Sequence, residues 1–422
     1  MSVNIIRVPQ RRDLVSQIRY RSLDRKAWQK LEQSAGALRG RTVIHVNSAV
    51  HGGGVAELLR SQIPLERSLG IDSRWYVISA PTEFFAITKK LHNLLQGAPG
   101  QLTGAELQSY EKVGSQLAKK FLRVAEGIKD GIVVIHDPQP AALLCALPPH
   151  LSSLWRIHVD LSRANLWATG MLQRYARCTK CVVVSNPAYK RAFRGRKVII
   201  HPAIDPFTAK NKPMTLSRAR SIIRKFGIHD DLPIMTQVSR FDAWKDPVGV
   251  IRAYYLAKKR EPRLQLVLAG FMTAQDDPEA VRMLDEVARY AKGDNAIFLF
   301  SDTKQLGNLS NEVFINALYT VSTVVVQKSV REGFGLTITE AMWKGKPVIA
   351  APSAGAKIQI TNGKNGFIVT SASAIAKKVE ILLQQPHLRS QLGRRAHTSV
   401  ARRFLFPRYI LDCLQTYQRL VK

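Results

Sequence analysis

Thr42-Val43-Ile44-His45-Val46-Asn47 is an apolar, strand-like run; soon after it, Gly52-Gly53-Gly54 leads into a helix-like stretch from Val55 to Leu69, which Gly70 closes. Strand, glycine turn and helix in this order make the first half of a βαβ unit, with Gly70 as the C-cap. The same rhythm continues on the C-terminal side. Arg74 to Ser79 reads as a strand, Glu106 to Lys129 as a long helix, and Ile132 to Ile135 as the next strand. Trp155 to Val159 and Cys181 to Val184 are two more short strands. On the N-terminal side the style differs. The first forty residues read as an amphipathic helical extension, with Leu14, Ile18, Leu23, Trp28, Leu31 and Leu38 spaced among charges.

His201 to Phe207 holds two prolines, an aspartate and no periodicity, and reads as a linker. Beyond it the alternation restarts. Strands are expected at Pro233 to Ser239, Leu264 to Ala269, Ala296 to Phe300, Thr323 to Gln327 and Pro347 to Ala351. Helices are expected at Pro247 to Lys259, Pro278 to Lys292, Asn311 to Thr320, Leu336 to Lys344 and Ala372 to Gln384. Asp246 is placed to cap the first of these, with Pro247 at the first helical position. Alternating strands and helices predict an α/β protein of two doubly wound, mostly parallel sheets. In such sheets ligands bind beyond the carboxyl ends of the strands, so a cleft between two facing domains is the expected site.

Composition narrows the function classes. The 422 residues are 45% hydrophobic and 22% charged, which fits a soluble globular protein of two domains. No run of eighteen apolar residues occurs and the N-terminus lacks an apolar signal core, so a cytoplasmic protein without membrane attachment is expected. Sixty-three Lys and Arg against thirty-one Asp and Glu give a formal charge of +32, which attracts polyanions and favours phosphate-bearing substrates. The cations are scattered rather than gathered on a binding module, so a nucleic-acid partner is not expected. The four cysteines lack the second ligand pair that zinc would need. Cys178 and Cys181 read as two reduced thiols beside a strand.

Five segments carry candidate chemistry. Gly52, Gly53 and Gly54 let backbone N–H groups approach an anion at a helix N-terminus; a plain tight turn is the other reading. Their spacing is not that of a dinucleotide fingerprint. In Ser239-Arg240-Phe241-Asp242-Ala243-Trp244-Lys245-Asp246-Pro247, a planar fork (Arg240) and a point charge (Lys245) stand between a strand end and a helix start, which suits a diphosphate. A solvated face is the alternative. The stretch from Arg331 to Ala341 holds Glu332 and Glu340. On one helix they would lie about 12 Å apart, too far for the paired carboxylates of a retaining hydrolase. They read instead as separate hydroxyl-binding groups, one for a sugar and one for a ribose, or as a dipole-favoured and a surface glutamate. His136 to Pro140 and Arg156 to Ser162 follow strand ends; Asp137, Gln139, His158 and Asp160 there need partners, either sugar hydroxyls or one another.

Together these segments resemble the glycosyltransferase family 4 enzymes of the GT-B fold, and within them the trehalose glycosyltransferring synthases, a group related to trehalose phosphorylases. The matching stretches, HVNSAVHGGGVAELL, PTEFFAITKKLHNLLQG, HDPQPAALL, WRIHVDLSRAN, QVSRFDAWKDPVGVI and VVVQKSVREGFGLTITEAMWKGKPVIA, lie between His45 and about Val369. The resemblance implies two Rossmann-like domains facing each other across a cleft. An acceptor-side domain would span 1–202, including the helical extension 1–40. A nucleotide-sugar domain would span 203–395, and a C-terminal helix, 396–422, would cross back to the first domain. It further implies a retaining hexosyltransferase that makes trehalose reversibly from a nucleotide-activated glucose, such as ADP- or UDP-glucose, and free glucose. A trehalose phosphorylase, or a family 4 transferase with another acceptor, is the alternative.

The resemblance assigns catalytic roles to Arg240, Lys245, Glu332 and His158. Donor binding falls to Gly52, Gly53, Gly54, Arg240, Lys245, Glu332, Gly333, Phe334, Gly335 and Glu340, and acceptor binding to Asp137, Gln139 and Asp160. No metal or other cofactor is required, the nucleotide-sugar being a substrate, and a homodimer is left open. The chain departs from the family pattern at three places. Ser353-Ala354-Gly355-Ala356-Lys357 keeps one glycine where two adjacent ones are usual, Ala243 stands where Arg is frequent, and Arg163-Ala164 replaces Ser-Pro.

Overall fold

The computed structural model describes residues 3–9, 17–51, 53–271 and 278–421. The chain divides into two compact units, Met1–Pro202 with Phe406–Lys422, and Ala203–Leu405.

In chain order the first unit contains β1 (Asn4–Arg7), β2 (Thr42–Asn47), β3 (Asp72–Ser79), β4 (Gly131–His136), β5 (Leu151–Ile157), β6 (Cys181–Val184) and β7 (Lys197–Ile199). They form one sheet in the order β1-β3-β2-β4-β5-β6-β7. All neighbours are parallel except β1, which runs antiparallel to β3 with Asn4 opposite Ser79. β4 and β6 are buried along their whole length, as strands covered on both faces must be, and so read as unbroken apolar runs. The helix Gly104–Ala125 starts at a capping box in which Thr103 and Glu106 satisfy each other's backbone N–H groups.

The second unit contains β8 (Ile234–Val238), β9 (Gln265–Ala269), β10 (Ile297–Phe300), β11 (Val324–Gln327), β12 (Val348–Ala350) and β13 (Phe367–Ile368). Their order is β10-β9-β8-β11-β12-β13, all parallel. Pro247–Lys258, capped by Asp246 through Gly249 N at 2.9 Å, packs on one face. Leu216–Arg224 and Asn311–Val321 pack on the other.

Three expectations change. The N-terminal extension is not wholly helical: Asn4–Arg7 is an edge strand, and the helices begin at Gln17–Leu23 and Arg25–Gly36. Leu14 lies outside the described residues. The segment grouped with the first unit begins at Phe406 rather than at Ala396, because Ala396 and Val400 of the helix Pro386–Arg403 are buried in the second unit's core. In the first unit, the helix Phe406–Gln418 buries Phe406, Tyr409, Ile410, Cys413, Leu414 and Tyr417, one helical face at i, i+3, i+4 spacing. Finally, Cys178 is not a free thiol. It is disulfide-bonded to Cys145, with Cα atoms 5.0 Å apart, while Cys181 and Cys413 are free and buried. The partners are far apart in sequence, so the adjacent CxxC pattern gave no sign of the pairing. Among the described residues no helix is long and apolar enough to cross a membrane.

Candidate active site

Each sheet reverses its winding at one point: between β2 and β4 in the first unit, and between β8 and β11 in the second. At such a switch point the connections leave in opposite directions and open a crevice beyond the carboxyl ends of the two strands. The loops after β2, β4, β8 and β11, with the segment after β5 beside β4, therefore carry the site candidates.

In the first unit β2 runs through a short loop into the helix Gly53–Ser68. Gly53 has φ of +75° and Gly54 follows it, both exposed at the helix N-terminus. Nothing crowds Gly53, so its backbone conformation is what demands glycine. Gly52 lies outside the described residues. After β4, Asp137 adopts a left-handed conformation, φ 62°. Its Oδ1 accepts from His158 N at 2.8 Å, tying the ends of β4 and β5 together. Burial pushes its carboxyl up to about 7. Asp160 is 1% exposed and accepts from Ser162 N at 2.8 Å within its own loop. Both aspartates thus have structural work. Gln139 differs: its Oε1 is buried and has no hydrogen-bond partner among the described residues. His158 is half-buried, and its Nε2 lies 3.0 Å from His136 Nδ1. Burial lowers both rings well below the usual histidine range.

In the second unit the loop after β8 and the loop after β11 meet because the two strands are neighbours in the sheet. Lys245 Nζ lies 2.5 Å from Glu332 Oε2, and both side chains are mostly buried. Ser329 Oγ donates to the same carboxylate oxygen at 3.3 Å. Arg240 is 62% exposed and pairs with Asp242 at 3.0 Å. Gly333, Phe334 and Gly335 are buried beneath this loop. Gly335 has φ of +85° and caps the helix Leu336–Trp343. On that helix Glu340, 1% exposed, faces Lys210 Nζ at 2.7 Å. The lone glycine of the Ser353–Lys357 run is required: a Cβ on Gly355 would stand 2.3 Å from Phe334 O. Ala354 and Ala356 flank it in the short helix Ala354–Gln359.

The structure therefore brings Lys245 to Glu332, and Asp137 to His158. Sequence reasoning missed Lys210, and also Lys328, which follows β11 and pairs with Asp246. A cation directly after an apolar strand is the one signal that pointed to Lys328; nothing marked Lys210. Arg331 Nε is also buried without a hydrogen-bond partner among the described residues. A cavity of about 570 Å³ lined by Arg39, Arg41, Arg74 and Lys129 lies at the other end of the first sheet, where β2 and β4 begin. It contains none of the candidate residues. Among the described residues no group of three or more His, Cys, Asp or Glu side chains is placed to hold a metal ion.

Comparison with known proteins bears on these two rims. Residues 45–191 match the family model of the trehalose synthase N-terminal domain, and residues 219–399 that of the glycosyl transferases group 1. The chain is 39% identical over 393 residues to a trehalose synthase from Pyrococcus horikoshii, covering 92% of each. It is 26% identical to a trehalose phosphorylase from Pleurotus pulmonarius, over 81% of this chain and 52% of that protein. Among solved structures, sucrose-phosphate synthase from Thermosynechococcus elongatus superposes with a TM-score of 0.70 at 19% identity, over 90% of this chain and 99% of the other. That likeness concerns the fold, and it is the GT-B class that the sequence leads one to expect.

Proposed function

We propose a function from one premise: this chain belongs to the group 1 glycosyltransferases, in the family of the trehalose synthases. It transfers glucose from a nucleotide-glucose, such as ADP- or UDP-glucose, to free glucose, with retention, and the product is trehalose. The observation that carries this reading is the pair Lys245–Glu332, 2.5 Å apart at the switch point of the second sheet. A cation able to take charge from a departing diphosphate stands there against a carboxylate able to hold sugar hydroxyls.

In the transfer, the bond from glucose C1 to the phosphate oxygen breaks and the bond from C1 to the acceptor oxygen forms on the same face. The acceptor hydroxyl proton passes to the leaving phosphate. Negative charge develops on that phosphate, and Lys245 and Arg240 stabilise it where it appears. Fixed cations of this kind let the step run without a metal or other cofactor. Glu332 holds hydroxyls of the transferred glucose, and Glu340, set by Lys210, holds the ribose. Gly333 to Gly335 bring backbone close to the donor. On the first unit, Gly53 and Gly54 let the backbone come close to the sugar that the donor carries. Gln139 Oε1 accepts from an acceptor hydroxyl, His158 lines the reaction centre, and Asp137 and Asp160 fix the loops that carry them. The reaction is reversible, because a nucleotide diphosphate can return to the same cations.

The likeness to a trehalose phosphorylase supports a second reading, in which inorganic phosphate replaces the nucleotide diphosphate. One experiment separates the two. Purified protein is incubated with a panel of nucleotide-glucoses plus glucose, and with trehalose plus phosphate. Trehalose and free nucleotide diphosphate in the first set are the expected products. Glucose 1-phosphate in the second set alone would mean the phosphorylase. Silence in both would overturn the trehalose assignment.

A further inference from the structure

A file of three histidines runs from the first unit's rim into its core and ends on a buried carboxylate. His158 Nε2 lies 3.0 Å from His136 Nδ1, and His136 Nε2 lies 3.2 Å from His45 Nδ1. His45 Nε2 then lies 3.2 Å from Glu66 Oε2. His45 and Glu66 are both 0% exposed. The rings meet edge to edge. Their centroids are 5.3 Å and 5.5 Å apart, each spacing being the N···N distance plus one ring radius from either side. The facing nitrogens therefore sit on the line between ring centres, which is the geometry of an in-plane N–H···N bond.

We propose that Glu66, His45 and His136 are positioning residues that lock His158 into the tautomer with its proton on Nε2, so that His158 presents a bare Nδ1 to a hydroxyl of the bound sugar. The inference rests on the reading in which this rim receives a sugar. Donor and acceptor roles follow by counting from the inner end. Ser73 Oγ donates to Glu66 Oε2 and Gln62 Nε2 donates to Glu66 Oε1, both at 2.6 Å. The carboxylate accepts from these neighbours, so the nitrogen of His45 that faces it carries a proton. A neutral imidazole protonated on Nε2 has an accepting Nδ1. His136 must then donate from Nε2 and accept at Nδ1, and His158 must do the same. The opposite polarity would need either a doubly protonated His45 or a proton on Glu66, whose two oxygens already accept from Ser73 and Gln62. Burial disfavours charge on both His136 and His158, in keeping with a file of neutral rings.

The outer end fits the role. Among the described residues His158 Nδ1 has no hydrogen-bond partner, and the ring is only half-buried. The Asp137 carboxyl fixes the backbone of His158 rather than its ring, so the tautomer is set through His136 alone. Glu66 is itself held from behind: Gln62 bonds to Tyr409 Oη at 2.7 Å and Tyr417 Oη at 3.2 Å.

Proton–nitrogen NMR of protein with isotope-labelled histidine rings tests this without turnover, so it stands even where the trehalose reading fails. His45, His136 and His158 are expected in the Nε2–H form. A wild-type His158 protonated on Nδ1 would overturn the proposal. The kinetic arm uses His136→Phe, which removes both polar atoms, and His136→Gln, whose oxygen can accept from His158 and whose amide can donate to His45. His136→Phe is expected to lower kcat by about 10- to 100-fold, with KM changed by less than about threefold. His136→Gln should restore most of the loss. Equal losses in the two variants would assign His136 a packing role and also overturn it. If His136→Phe fails to fold, the wild-type spectrum decides alone.

Discussion

The two switch points share a topology and differ in chemistry. In the first unit, β2, the end of β4 and the segments after β4 and β5 gather buried or half-buried groups: three histidines in file, an aspartate whose carboxyl burial raises, and an amide oxygen without a hydrogen-bond partner among the described residues. In the second unit the loops after β8 and β11 gather cations, each set against a carboxylate: Lys245 with Glu332, Arg240 with Asp242, Lys328 with Asp246. Winding order fixes where a ligand can approach, and the residues placed there fix which ligand. A rim of partly buried ion pairs can exchange its carboxylate partners for phosphate oxygens. A rim of neutral donors and acceptors suits a sugar that carries no charge.

The comparison breaks first at the cations. Lys245→Ala should lower kcat/KM by about two to three orders of magnitude, because a largely buried charge acting on a developing oxyanion is lost. Arg240→Ala should cost about tenfold, since its side chain is 62% exposed and screened by solvent. Steady-state rates of both variants check this; equal losses would mean that burial does not grade the two cations.

The smaller effect lies in the first unit and concerns stability. The unfolded chain ionises Asp137 near 3.8, whereas the folded protein holds that proton until about 7. This contribution to stability is full below pH 3.8 and is lost as the pH rises through 7. His136 and His158 act in the opposite sense. Their folded rings resist protonation, so stability falls as the pH drops below about 6.5. Asp137→Asn keeps an acceptor for His158 N and tolerates the left-handed backbone. It should raise stability at pH 8 by on the order of 1 kcal/mol and give no gain at pH 4. Denaturant melts at the two pH values read it, and a gain at pH 4 equal to that at pH 8 would refute the assignment.

Much of this was legible beforehand because buried parallel strands leave apolar runs. The strand Cys181–Val184 and the helix Ala372–Gln384 match the expected spans; the other interior strands fall within two residues of theirs, except β5, which runs Leu151–Ile157 where Trp155 to Val159 was expected. What stayed hidden is what tertiary pairing creates. Asn4–Arg7, Lys197–Ile199 and Phe367–Ile368 are short edge strands whose only evidence is a neighbour. Lys245 and Glu332 stand out separately in the sequence, yet their contact exists only because β8 lies beside β11. The histidine file depends on the register of β2 with β4 and on a helix that turns Glu66 inward. No local pattern carries that information.

In the proposed function, donor phosphate belongs to the second rim and not to the first. Calorimetric titration of UDP and ADP into wild type, Lys245→Ala and His158→Ala tests it most directly. Lys245→Ala is expected to weaken binding of the preferred nucleotide at least about tenfold, while His158→Ala stays within about twofold of wild type. Equal weakening in the two variants, or wild-type affinity in Lys245→Ala, would contradict it.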